Sequence, residues 1–216
     1  FLSGLLGTGH HYYYIGVNKI WLIVGGIFSA LEPLAFLAMA LFAVYMYRKG
    51  EKSHPNKIAL FWTIGASIVS FVGAGLLGFA HTLPQTNIYT HGTLVTAMHG
   101  HYAFWGAYAM IVLAIISYAM PNMTGRKLYD STRGHMAFWL SNVGMLGMTV
   151  AFGVAGVAQV YLERKMKMDF MDVQNEISIH FVVLLLCASL FATGITLYIL
   201  EFIKYGKPTD EALVKE

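Results

Sequence analysis

Cysteine is almost missing from this chain. Cys187, the single one in 216 residues, lies in an apolar run. That excludes an internal disulfide and any multi-cysteine metal site. It reads as a small buried hydrophobe. Charge is scarce too: Asp, Glu, Lys and Arg make up 12% of the residues, against about a quarter in a soluble domain. The charges that exist cluster in short links between uncharged stretches. The net charge of +3 therefore belongs to those links and gives no reason to expect a nucleic-acid partner. No basic start with a cleavage site opens the sequence. It begins at Phe1 in "FLSGLLG", and we expect it to be part of a longer chain, with an earlier element before it.

What the sequence has in abundance is apolar length. Hydrophobic residues make up 57% of it, and five apolar segments stand out, at roughly 19–47, 58–81, 91–119, 135–161 and 178–204. Each reaches the ~20 residues an α-helix needs to cross a bilayer core. Barrel strands are about half that length and alternate in polarity, so strands are not expected. The expectation is one all-α membrane domain over residues 1–216, with no soluble domain, low-complexity stretch or short repeat.

The links set an orientation. "RKGEKSHPNK" and "PNMTGRKLYDSTRG" are basic, as is the tail with Lys204, Lys207 and Lys215, whereas "HTLPQTNIYTH" has no Lys or Arg. By the positive-inside rule the basic links and the tail face the cytoplasm. The second link and the N-terminal stretch then face outward. The fourth link, "LERKMKMDFMDVQNE", dissents: it is basic yet falls outside by alternation.

Histidines carry the chemistry. His10 and His11 are adjacent in "GTGHHYYYIGV", and His99 and His101 share the third apolar segment in "VTAMHGHYAFWG". Two residues apart on a helix, at about 100° per residue, side chains point some 200° apart. His99 and His101 therefore suit two centres on opposite sides of one helix, such as two haem irons, each of which takes an axial imidazole; the alternative is a pair of hydrogen-bonded packing histidines. Counted from a helix start near His91, His99 lies about 12 Å from the outer end. His10 and His11 lie toward the same side and can converge on one metal. Imidazole suits iron, copper and zinc alike, so the pair does not name it.

Glu32, in "IFSALEPLAF", is the one carboxylate placed deep within a segment. A buried carboxylate must be neutral, paired or metal-bound, so it can be a metal ligand, a proton donor or a structural hydrogen-bond partner. Pro33 beside it can loosen the helix. Glu201, near the end of the fifth segment, is expected to reach water. His91 fits a haem propionate or an interfacial lipid. His54 and His135 read as solvated, His81 and His180 as interfacial. The glycines of "GGIFSA" and "GAGLLG" read as close helix contacts.

Adjacent His-His followed by five spans with His-x-His on the third resembles the second half of the catalytic subunit of the haem-copper oxidase superfamily. "GTGHHYYYIGV", "SALEPL" and "THGTLVTAMHGHYAFWGAY" look most like the large cytochrome b subunit of the bacterial, cytochrome c-dependent nitric oxide reductase branch. The likeness covers essentially the whole sequence, as about the last five of twelve helices. It implies that His10 and His11 hold a non-haem iron, that His99 ligates a high-spin haem b3, and that His101 ligates a low-spin haem b. Glu32 matches the glutamate near the non-haem iron and sets this branch apart from oxygen-reducing oxidases. The third iron histidine and the other low-spin ligand would lie upstream. The implied reaction is reduction of two NO to N2O in the bacterial inner membrane, during denitrification, with electrons from a membrane-anchored cytochrome c subunit. A quinol donor stays open. The competing readings are an O2-reducing terminal oxidase and a non-catalytic di-haem carrier or proton-coupled transporter.

Overall fold

The structure, a computed structural model, describes residues 2–50, 56–125 and 132–204. His54 lies outside them. Among the described residues the secondary structure is entirely helical. A short helix α1 (Leu2–Gly7) runs into a 3-10 turn, Thr8–Tyr12, which holds both leading histidines. The first long apolar helix, Lys19–Lys49, is two pieces: α2 (Lys19–Ser29) and α3 (Glu32–Lys49). The break at Ala30–Leu31 has a cause in the sequence. Pro33 sits in the first turn of α3, where its missing N–H costs nothing, so the chain restarts there instead of continuing. Glu32 therefore sits at a helix break, at the first turn of α3.

The other four long apolar helices are Lys57–Thr82, Leu94–Pro121, Thr132–Lys165 and Ser178–Ile203. The second comprises α4 (Lys57–Ser70), a π-helical segment Phe71–Leu77, and α5 (Gly78–Thr82). After α6 (Pro84–Thr90), the third comprises α7 (Leu94–Phe104), a π segment Trp105–Ala109, and α8 (Met110–Thr124). The fourth is α9 (Thr132–Val160) with a π turn Tyr161–Lys165; α10 (Phe170–Glu176) then leads into α11 (Ser178–Lys204). The third helix starts at Leu94, later than the start near His91 expected from the apolar run. Gly92 takes a positive φ of 73°, and the Thr93 side chain caps the helix by accepting from the Val95 N–H. His99 is thus about 8 Å along the helix, not 12 Å.

The core lies among the last four spans. Trp62 on α4 is fully buried, with Phe138 of α9 and Tyr198 of α11 edge-on at 5.1 and 5.6 Å, and Trp105 at 6.0 Å. Edge-to-face arrays of this kind satisfy the ring quadrupoles as well as filling volume. α9 and α11 approach most closely at small residues: a Cβ on Gly144 would meet the Phe191 backbone, and one on Gly194 the Ser141 backbone. The first span is peripheral, with 6% of its most apolar stretch buried against 39% for the second.

Long-range hydrogen bonds tell which loops share an end. Tyr13 Oη donates to the Thr82 carbonyl at 2.5 Å, and the Tyr14 ring lies 4.3 Å from His91. Arg164 donates to the His91 carbonyl at 3.5 Å. The N-terminal stretch, the second link and the fourth link are therefore at one end, so the basic fourth link obeys alternation despite its charge. At the opposite end Asn56 donates to the Ser117 carbonyl at 2.7 Å. Glu201 is there too, and it does not reach water as expected. It is 4% exposed and faces Arg133 Nε at 3.8 Å, because the closeness of α9 and α11 covers it. His135, expected to be solvated, is half-buried, edge-on to Phe61 at 5.1 Å.

Candidate haem and metal centre

His10 and His11 are held against α2 by two missing side chains. A Cβ on Gly9 would fall on the Trp21 carbonyl, and one on Gly25 on the His10 backbone nitrogen. The 3-10 turn thus lies directly on the helix backbone, which larger residues would prevent. The two imidazoles are 4.0 Å apart between centroids, tilted by 35°. His10 Nδ1 is 2.6 Å from the Gly7 carbonyl. Burial and then the His11 charge push the His10 pKa down to about 4, against the opposing pull of the Gly7 carbonyl; His99 and His81 add lesser repulsion. Burial lowers His11 as well. Both rings are therefore neutral near pH 7, the form that binds a metal.

His99 and His101 face different neighbours, as their spacing requires. His99 points toward the second span, where its Nδ1 is 2.9 Å from the Gly73 carbonyl. That carbonyl belongs to the π segment, where the wider turn takes carbonyls out of the regular i→i−4 ladder. Gly73 also brings the backbones together: a Cβ there would sit 2.7 Å from the Tyr102 carbonyl carbon. His101 points toward the fourth span, 4.8 Å from the Phe152 ring, with Nδ1 on the Ala97 carbonyl at 2.8 Å.

One anchoring pattern recurs. In His10, His99 and His101 a backbone carbonyl accepts a hydrogen bond from Nδ1–H, so Nε2 is the ring nitrogen turned away from the anchor. That is the usual preparation of a metal-ligating imidazole, because the outer hydrogen bond fixes tautomer and ring orientation and raises basicity. Gly78 lies beside the His99 ring: a Cβ there would come within 3.2 Å of its Cε1, so the missing side chain lets the second span pack close to the imidazole. The donor set, an imidazole whose Nδ1 is held by a backbone carbonyl, suits haem at His99. Among the described residues no three His, Cys, Asp or Glu side chains converge on one metal-sized point. His10 and His11 supply a pair.

Glu32 is half-buried beside the same turn. A Cβ on Gly7 would lie 2.8 Å from Glu32 Oε1. The Ser29 hydroxyl is within hydrogen-bonding reach of the carboxylate and shares a 2.9 Å hydrogen bond with the Thr82 hydroxyl. A polar string thus joins the first and second spans at the level of the histidines. His91 lies outside this cluster, exposed between Tyr14 and Arg164. His180 is half-buried at the start of α11, its Nδ1 3.1 Å from the Ile177 carbonyl.

His81, like Glu201, is placed otherwise than its position in the sequence suggests. Its place at the end of an apolar run suggests headgroups at an interface. It is instead 6% exposed and stacked on His99, with centroids 5.0 Å apart and planes 23° apart. Its neighbour across the bundle, which the sequence does not display, decides the matter.

The fold and its histidines define a class: a helical, multi-pass membrane protein that gathers imidazoles at one end of its bundle. Residues 1–193 match the family of cytochrome c and quinol oxidase polypeptide I, and the chain belongs to that family. It is 43% identical to the B subunit of nitric oxide reductase from Stutzerimonas stutzeri over 214 residues, 95% of this chain and 45% of that protein. It is 33% identical to cytochrome c oxidase subunit 1 of Corynebacterium diphtheriae over 86 residues, 40% of this chain and 15% of that one. The chain thus spans less than half the length of either relative. Family and apolar helices together make it a multi-pass protein of the bacterial inner membrane.

Proposed function

We propose that this chain is the later part of a nitric oxide reductase catalytic subunit, converting two NO, two electrons and two protons to N2O and water. The observation that carries the reading is the combination of adjacent His10 and His11, the anchored His99 and the half-buried Glu32 at one end of the bundle. The 43% identity to the B subunit of a nitric oxide reductase supports it along nearly the whole chain. Glu32 favours this branch over the oxygen-reducing one within the same family.

In this reading His99 would hold a high-spin haem b3, His101 a low-spin haem b, and His10 and His11 a non-haem iron. When bound, the metals supply electrons and two places at which NO is held for N–N coupling. The chain's own residues do the rest. The Gly73 carbonyl fixes the His99 ring. The Gly9–Gly25 contact fixes the His10–His11 turn, so two uncharged reactants are brought together at a set separation, which removes much of the entropic barrier to coupling. Glu32, in contact with Ser29 and through it with Thr82, holds and passes protons where bulk water is scarce. His91, beside Tyr14, hydrogen-bonds a haem propionate. The electron donor is a membrane-anchored cytochrome c subunit.

Metal content tests the assignment. The complete complex, purified from membranes, is predicted to carry a high-spin and a low-spin b haem with one further iron on this subunit. Copper in place of that iron would move the chain to the oxidase branch. Absence of a high-spin, NO-reactive haem would leave a di-haem carrier instead.

A further inference from the structure

His81 has no part in the reading above, yet it is the most deeply buried imidazole near His99. Its surroundings hold it firmly. The His81 Nδ1 proton goes to the Leu77 carbonyl at 2.9 Å, one helical turn on from the Gly73 carbonyl that anchors His99. Asn87 Nδ2 donates to the His81 carbonyl at 2.7 Å, and Tyr13 donates to the carbonyl of neighbouring Thr82. The Thr82 side chain is tied in turn to Gly78 and Ser29. Ring and backbone are thus both pinned, and the ring lies nearly parallel to that of His99. Its Nε2 is buried and has no partner among the described residues.

We propose that His81 is a positioning residue for the haem ligand His99, holding the plane of that imidazole by stacking on it. The inference rests on His99 being a haem ligand. His99 can turn about its Cβ–Cγ bond, and its one anchor is the hydrogen bond to Gly73. A flat ring beside it, itself locked by the Leu77 carbonyl, removes that freedom. Orientation matters because the ligand plane and the strength of its outer hydrogen bond together tune an axial imidazole. Histidine suits the task better than an apolar ring, since Nδ1 gives it an anchor that phenylalanine lacks.

The test uses the complete complex with His81→Leu and His81→Phe variants. The readouts are the iron–imidazole stretching band and midpoint potential of the high-spin haem, with the low-spin haem as internal control. The leucine variant, which lacks the ring, is predicted to shift both high-spin readouts and leave the low-spin haem unchanged. The phenylalanine variant, which keeps the ring but not its anchor, is predicted to return most of the way. A leucine variant with wild-type values for the high-spin haem would overturn the proposal. So would a phenylalanine variant as displaced as the leucine one, or equal changes at both haems. If the leucine variant loses haem altogether, the phenylalanine variant decides alone: values close to wild type support the stacking role, and displaced values refute it. A wild-type complex without any high-spin haem would instead refute the functional reading on which the inference stands.

Discussion

At the scale of single residues, a carbonyl anchor orients each imidazole, and its neighbours decide what it can do. His10, His99 and His101 are held through Nδ1 by the backbone, as are His81 and His180, and the hydrogen bond directs Nε2 away from the anchoring carbonyl. Glu32 works differently, through Ser29, whose hydroxyl in turn hydrogen-bonds the Thr82 hydroxyl. A Glu32→Gln substitution keeps shape and hydrogen bonding but cannot hold a transferable proton. It is predicted to lower NO turnover by about a hundredfold, with haem and iron content unchanged. Full turnover with full iron content would make the carboxylate structural. Glu201 is a second buried carboxylate with a different task. Glu201 is 4% exposed, and Arg133→Ala removes the cation that faces it; the variant is predicted to destabilise the helix pair by about 1–3 kcal/mol, the Arg133 partner being partly exposed. Thermal unfolding in detergent reads this out, and N2O formation at permissive temperature should persist.

At the scale of elements, the centre depends on irregular helix. The π segment Phe71–Leu77 presents the Gly73 carbonyl to His99, and the break before Glu32 puts the carboxylate beside the histidine turn. Gly73→Ala would press a methyl onto the Tyr102 backbone. It is predicted to cost about 1–3 kcal/mol in overpacking and to weaken high-spin haem retention before the low-spin haem is affected, as separate Soret contributions would reveal. Retention of both haems at wild-type levels would show that the close contact is not needed. The five apolar lengths and the opposed directions of His99 and His101 are legible in the sequence because each follows from rise and turn per residue. Pro33 marks where the first segment can loosen, though its division into two helices is not expected from the unbroken apolar run. The π segments are not legible, because runs that are apolar on every face carry no phase from which a change in turn could be read. His81 and Glu201 are misjudged for a related reason: position along a helix gives depth, but burial depends on which neighbour covers it.

At the scale of the whole molecule, spans two to five pack around Trp62, while the first span leaves most of its apolar surface open. The histidine end is stitched together by Tyr13, Tyr14 and Arg164, and the opposite end by Asn56 and the Arg133–Glu201 pair. One half of the bundle thus supplies His10, His11, His99, His101 and Glu32 as a pre-set group, while the proposed reaction belongs to the complete subunit with its electron donor. The central claim is that this group reduces NO, and headspace N2O is its most direct measure. Membranes containing the complete subunit and its cytochrome c partner would be given NO anaerobically, beside membranes with His11→Ala. The account predicts one N2O for every two NO consumed, abolished by the substitution while low-spin haem remains. No N2O from spectrally intact haems, with O2 consumed when it is supplied, would contradict it.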